Sequence, residues 1–310
     1  MTPSQFGTAK WRYGVLMACS TSFLWGILPI LLKLGLKDFS VETVAWFRFA
    51  FAFLVLGIWL RLKNKEDFKL RPPFLGILGG IFLAGNYYFM TEGIHLSGPA
   101  NAAILIQLAP LLLVLIGVFA FGESLAVRQI LGLMMAGIGF FLFYRDNLQS
   151  SLDASAYAWA GFNVVLAAIA WVAFMVCQKV LSPSYSPQVK NFFVYGIAGL
   201  TLLPFVEWAQ FTELDVGSAV LLISLGLNTV LAYGALAEAV HCISLTLISV
   251  ITALNPLITL LGMKLFAYYF PGKLNPVNHS AIGYLGAFMA VAGVVAVVMQ
   301  KTKNNREAPL

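Results

Sequence analysis

Charge is what this sequence has least of. Only 10% of its 310 residues are Asp, Glu, Lys or Arg, against about a quarter in a typical soluble domain. A chain so poor in charge cannot cover a water-facing globule with polar side chains, which excludes an ordinary soluble fold. With 60% hydrophobic residues and a mean hydropathy of +0.86, it reads as an all-α integral membrane protein. Cysteine is scarce as well. Cys19, Cys177 and Cys242 lie in or beside apolar runs, without CxxC spacing or a histidine cluster that would complete a metal site. Packing is their expected role, and no metal or other cofactor is expected. The run LMAC ending at Cys19 resembles a lipoprotein cleavage box, but too few apolar residues separate it from Arg12 for a signal-peptide core. The first helix is therefore expected to be retained.

Catalytic and nucleotide motifs are missing too. No GxxxxGK[ST] phosphate loop occurs, which excludes nucleotide hydrolysis by that route. The rival reading, an intramembrane enzyme acting on a lipid or other membrane substrate, would need a nucleophile with its base, paired aspartates or an HExxH helix. None is found, and the few aspartates fall in loops. No ring of acids suggests an ion channel. The net charge of +6 does not indicate nucleic acid, because the 19 Lys and Arg sit mostly in short loops and tails and form no continuous basic face. The expected partners are the lipid bilayer and a small-molecule substrate, with the chain a monomer or homodimer.

What is present in quantity is apolar sequence in bilayer-length pieces. Ten spans are expected: 13–36, 43–60, 74–91, 101–121, 130–143, 156–180, 191–206, 216–237, 244–266 and 281–299, the fifth and seventh being short. With a cytoplasmic N-terminus, 13 of the 19 cations fall on the inside and five, Lys33, Lys37, Arg145, Lys264 and Lys273, on the outside, Arg48 lying within the second span. The positive-inside rule then places both short tails, 1–12 and 300–310, in the cytoplasm of a cell whose plasma (bacterial inner) membrane holds the protein.

The sequence also repeats itself. Adding 146 to a first-half position carries Trp25 to Trp171, Lys33 to Lys179, Tyr87 to Tyr233, Glu92 to Glu238, His95 to His241 and Pro110 to Pro256. After an insertion around YYFPGKLNPVNHS the register resumes at offset 154, where Gly132, Met135, Ala136 and Gly139 meet Gly286, Met289, Ala290 and Gly293. Each half, 13–143 and 156–299, contains five spans. Five is odd, so the second half must cross in the opposite sense, and the expected architecture is ten helices in two inverted repeats. Inverted repeats with two near-equivalent packings are a common build for secondary transporters.

At the level of motifs the chain resembles the drug/metabolite transporter superfamily, specifically its EamA type. The resemblance rests on SFLWGILPILLK in the first span, WFRF in the second, NAAILIQLAPLLLVLIGVFAFGE around Pro110 in the fourth, GLMMAGIGFFLF in the fifth and LTLISVITALNPLITLLGMKLF in the ninth. The second half departs in having AYYFPGK where the first has Gly122 and Glu123. This resemblance implies a basket-like bundle with a central cavity lined by spans 1, 3, 4, 6, 8 and 9, and export or exchange of small metabolites such as amino acids.

Candidate substrate-binding residues cluster around the paired prolines and aromatics. Pro110 and Pro256 each remove a backbone donor and release the carbonyl four residues earlier, at Ile106 and Thr252, which could face a ligand or merely accompany a packing kink. Gln107, Thr252 and Asn255 lie beside them. Ser249, Thr252, Pro256 and Thr259 share one helical face, suited to a wet cavity or to hydrogen bonds between helices. Trp25, Trp171, Asn86, Tyr87 and Tyr233 could form an aromatic lining for an organic substrate, or pack as ordinary core. Arg48, about two turns into its span, would bind an anion, snorkel, or pair with a carboxylate. Glu92 and His95 are expected to close the third span on the outer side, and Glu238 and His241 the eighth on the inner side. They either organise the helix ends or act as alternating gates and proton carriers.

Overall fold

The computed structural model describes residues 8–63, 73–121, 125–150, 153–181, 185–212, 214–243, 245–272 and 280–299. The Gly122 and Glu123 pair and most of the cationic loops and tails lie outside them. Among the described residues the structure is helical throughout: α1 (Thr8–Gly35), α2 (Val41–Lys63), α3 (Phe74–Ser97), α4 (Pro99–Leu105), α5 (Leu108–Phe121), α6 (Val127–Ser150), α7 (Ala154–Leu181), α8 (Pro187–Leu202), α9 (Val216–Cys242), α10 (Leu245–Thr252), α11 (Asn255–Tyr269) and α12 (Ala281–Val298), with two short 3₁₀ turns between α8 and α9. Among the described residues, nine stretches of helix are long and apolar enough to cross a membrane, two of them running over α4–α5 and α10–α11. The helix α8, with 16 residues, is shorter than these.

These helices are apolar all round. In α2, Val44, Phe49 and Ala52 are sealed in the protein while Leu54, Ile58 and Leu62 of the same helix point outward and are exposed. That pattern needs protein on one side and hydrocarbon on the other. A backbone in hydrocarbon must satisfy its own polar groups, which is why the chain spends its length in helices.

Two expectations about length are corrected. The fifth span is not short: α6 has 24 residues, because its polar end YRDNLQS stays helical and is anchored. Asp146 accepts from the backbone nitrogen of Ser280 at 3.2 Å and from its hydroxyl, holding the end of α6 at the start of α12. The third span also runs further than the apolar run indicated. The helix α3 continues to Ser97 and ends at Gly98, whose φ of 87° suits only glycine well.

The helices pack in pairs that repeat the internal symmetry. α1 lies on α9 and α3 on α7, contacts that the 146-residue offset interconverts, while α2 meets its own counterpart α8. At residue level, a Cβ added to Gly80 would lie 2.5 Å from Ile197, and one at Gly226 would lie 2.6 Å from Phe51. Gly80 maps onto Gly226 and Phe51 onto Ile197 at the same offset. α6 and α12 form the tightest seam. Cβ atoms at Gly139 and Gly293 would lie 2.7 Å from the carbonyl oxygens of Gly286 and Gly132 respectively, and would clash with the backbone nitrogens of Ala290 and Ala136. Each contact has its reciprocal, as a two-fold axis requires. Small residues are what permit helix backbones to approach so closely in a membrane.

The seam predicts a graded response. Gly139→Val and Gly293→Val should destabilise the protein to a similar extent, at the upper end of roughly 1–3 kcal/mol for overpacking, since backbone cannot yield. Gly137→Ala, with nothing within 4 Å of its added Cβ, should cost nothing. Thermal unfolding of the detergent-solubilised variants checks both statements.

Candidate functional site

Three pairs of aromatic residues related by the 146-residue offset come together at the centre. The rings of Trp25 and Trp171 meet edge to face at 6.2 Å between centroids, and Trp25 meets Tyr233 at 5.7 Å. From Tyr233 the chain of rings continues to Tyr195 at 6.0 Å, from Tyr195 to Phe49 at 6.2 Å, and from Phe49 to Tyr87 at 4.3 Å. Local sequence allows this convergence. Gly26, next to Trp25, lets α1 close on α11, where a Cβ would lie 2.6 Å from that of Ile258. Trp25 and Trp171 are half-buried, whereas Tyr87, Tyr195 and Tyr233 are buried.

Arg48 caps this lining. Its guanidinium carbon stands 4.2 Å from the centroid of the Tyr87 ring, and its Nε donates to Thr229 Oγ1 at 3.1 Å. The residue is 3% exposed, so it does not snorkel, and among the described residues no carboxylate forms an ion pair with it. The Thr229 hydroxyl donates onward to the Leu225 carbonyl at 3.1 Å, leaving its oxygen to accept from the arginine.

Beside the aromatics the two proline-bearing spans are interrupted rather than merely kinked. α4 and α5 are separated by a turn at 106–107, and α10 and α11 by one at 253–254. The prolines explain the location, since each lacks an N–H and its ring crowds the carbonyl four residues back. The Ile106 carbonyl does not stand free for a ligand, because it accepts from the Ala109 nitrogen at 3.0 Å. Instead the two breaks bind each other. Gln107 Nε2 donates to the Ala253 carbonyl at 2.9 Å, and these residues are themselves 146 apart. Ser22 of α1 lies between Asn255 and the second break, with its hydroxyl 2.5 Å from Asn255 Oδ1 and 3.0 Å from the Ile251 carbonyl.

Several other candidates make hydrogen bonds within or between helices. The break in the ninth span disrupts the expected polar stripe: Thr252 bonds back to the Ile248 carbonyl at 3.0 Å, and buried Thr259 donates to Gly26 of α1 at 2.6 Å. The Ser249 side chain lies outside the described residues. Asn86 donates across to the Ala167 carbonyl at 2.8 Å. At the equivalent contact Thr21 donates to the Ala232 carbonyl at 3.2 Å, so the symmetric interface keeps its bond while exchanging which helix supplies the donor.

Glu92, His95 and Glu238 take no part in the ring contacts and hydrogen bonds described above. Glu92 and His95 lie in the last two turns of α3, and Lys33 of α1 donates to the His95 carbonyl. Glu238 is exposed near the end of α9, and the side chain of His241 lies outside the described residues. A separate crevice of about 410 Å³ is walled by Leu105, Phe140, Phe141, Tyr144 and Phe162 among others. None of the candidate residues lines it, and its apolar walls suit lipid better than a polar solute.

The EamA-like transporter family model matches twice, over residues 12–145 and 158–299. The chain belongs to the EamA-like transporter family. An Escherichia coli protein named uncharacterized inner membrane transporter YhbE is 31% identical over 292 residues, covering 91% of this chain and 90% of its own. A Haemophilus influenzae protein named an uncharacterized transporter is 29% identical, covering 91% and 93%. An E. coli protein named a probable amino-acid metabolite efflux pump is 24% identical over 67% of this chain and 68% of its own. A solved crystal structure superposes with a TM-score of 0.62 at 18% identity, covering 91% of this chain and 95% of the other, a likeness of fold alone. As a member of this family the protein is a membrane transporter.

Sequence reasoning missed Phe49, Tyr195, Ser22 and Thr229. One signal was available: Phe49 maps onto Tyr195 at the 146 offset, an aromatic-for-aromatic match that a search for identities passes over. The Gln107 bridge predicts that Gln107→Leu, which strips the donor from the Ala253 carbonyl, destabilises the protein by about 1–3 kcal/mol. The midpoint of thermal unfolding measures this.

Proposed function

We propose that the protein is a secondary transporter that exports or exchanges small organic metabolites, such as amino acids, by alternating access. The observation that carries this reading is the meeting of two interrupted helices, α4–α5 and α10–α11, through Gln107 and Ala253. Discontinuous helices at a repeat interface are where secondary transporters bind their cargo. The name of the E. coli efflux relative supports the amino-acid class, and that of YhbE supports the inner membrane.

In this reading the two units, 13–143 and 156–299, rock about the shared seam with both termini in the cytoplasm. Trp25, Trp171, Tyr87 and Tyr233 contact the cargo, with Asn86, Gln107, Thr252 and Asn255 fixing the polar geometry around it. Glu92 and His95 guard one mouth, Glu238 and His241 the other, and a proton carried by one of these groups couples transport to a pH gradient. The protein works as a monomer or homodimer.

Proteoliposomes loaded with labelled amino acids test the proposal, with and without a pH gradient. Trp25→Ala and Trp171→Ala should each lower flux about tenfold or more, a loss of roughly 1.4 kcal/mol or more. Absence of flux across a broad panel, alongside turnover of a lipid, would replace transport with the enzyme reading. A second measurement addresses the gates: Glu92→Gln and Glu238→Gln should shift side-specific cysteine accessibility in opposite directions. Unchanged accessibility in both would reduce these residues to organisers of the helix ends.

A further inference from the structure

Arg48 is a buried cation that forms no ion pair with a carboxylate among the described residues. Its one hydrogen bond among the described residues uses Nε, which leaves the two terminal nitrogens and their N–H groups for another acceptor. Near it lies a second unused donor. Tyr195 is 3% exposed and, among the described residues, its hydroxyl has no hydrogen-bond partner; its ring lies 6.2 Å from that of Phe49, which in turn lies 4.3 Å from the Tyr87 ring that the guanidinium covers. Leaving a charge and a hydroxyl unmatched in a low-dielectric interior is costly. Both groups can donate to the same kind of ligand, an oxyanion.

The position is also asymmetric. The lining of this centre is built from matched pairs, Trp25 with Trp171, Phe49 with Tyr195 and Tyr87 with Tyr233, yet the counterpart of Arg48 at the 146 offset is Val194. Packing symmetry therefore does not account for the arginine. One positive charge, without an ion-pair partner among the described residues, balances one negative charge, which favours a carboxylate over a doubly charged phosphate, and the planar guanidinium matches a carboxylate through two parallel hydrogen bonds.

Resting on the transporter reading above, we propose that the cargo carries a carboxylate, which Arg48 grips with the Tyr195 hydroxyl as an additional donor. The rest of the cargo lies against the aromatic rings of Trp25 and Trp171. Bound cargo then neutralises the buried charge, so the loaded centre is electrically better matched than the empty one.

Labelled leucine and phenylalanine, compared with leucinamide and phenylalaninamide in proteoliposomes and corrected for protein-free vesicles, provide the test. Wild-type protein should carry the acids about tenfold or more faster than the amides, and Arg48→Met should abolish that preference. Arg48→Lys should restore only part of it, because an ammonium cannot form the paired contact. Tyr195→Phe removes a hydroxyl that has no partner to lose, so it should fold normally and raise the KM for the acids severalfold with little change in maximal rate. Size-exclusion profiles and unfolding midpoints identify any variant that fails to fold, and the wild-type comparison of acid with amide stands without one. Equal transport of acids and amides by the wild type, or unchanged acid transport by folded Arg48→Met, would overturn the inference while leaving the transporter reading intact. If wild-type protein moves no member of the panel, the transporter reading itself fails, and the role of Arg48 falls with it.

Discussion

Hydrocarbon offers no water to a peptide group, and every feature of this bundle answers to that constraint. Continuous helices satisfy it internally. The difficult places are the two interruptions, where Pro110 and Pro256 remove donors in the middle of membrane-crossing segments. The structure handles them by bringing them together, so that the Gln107 amide supplies the Ala253 carbonyl across the break. Ser22 and Thr259 stitch α1 and the second interrupted helix to each other. Gln107 and Ala253, one residue of each break, are thereby buried in protein and bonded to each other.

The same solution brings the two halves into register. Contacts across the bundle come as reciprocal pairs, from Gly80 on Ile197 and Gly226 on Phe51 to the backbone-close seam of α6 and α12. Such pairing means that any tilt of one half against the other has a mirror counterpart of similar energy. In the proposed alternating-access reading, that equivalence lets the cycle run without a large energetic bias toward either side. The exchange of donors between Asn86 and Thr21 at equivalent interfaces shows that the sequence halves have diverged while the bonding requirement has persisted.

Against this symmetric background the single charge of Arg48 is the main departure. It is held by a ring face and a hydroxyl rather than by a carboxylate, an arrangement that positions a guanidinium without neutralising it. The aromatic lining around it is well suited to the uncharged part of an organic solute. In the proposed reading, selectivity divides between this paired, apolar lining and the guanidinium of Arg48.

Much was legible in the sequence alone. Low charge and bilayer-length apolar runs dictated membrane helices, because no other environment tolerates them. The 146-residue offset linked Trp25 to Trp171 and Tyr87 to Tyr233, since residues at symmetry-equivalent positions answer to the same packing. What the sequence could not decide was which equivalent residues would touch. That depends on where the pseudo-two-fold axis falls and how each helix is rotated, which are properties of packing between segments far apart in the chain. For the same reason only the tertiary structure turned the expected kinks at Pro110 and Pro256 into true breaks, closed the Ile106 carbonyl with a local bond, and left Arg48 buried over the Tyr87 ring with no ion-pair partner among the described residues.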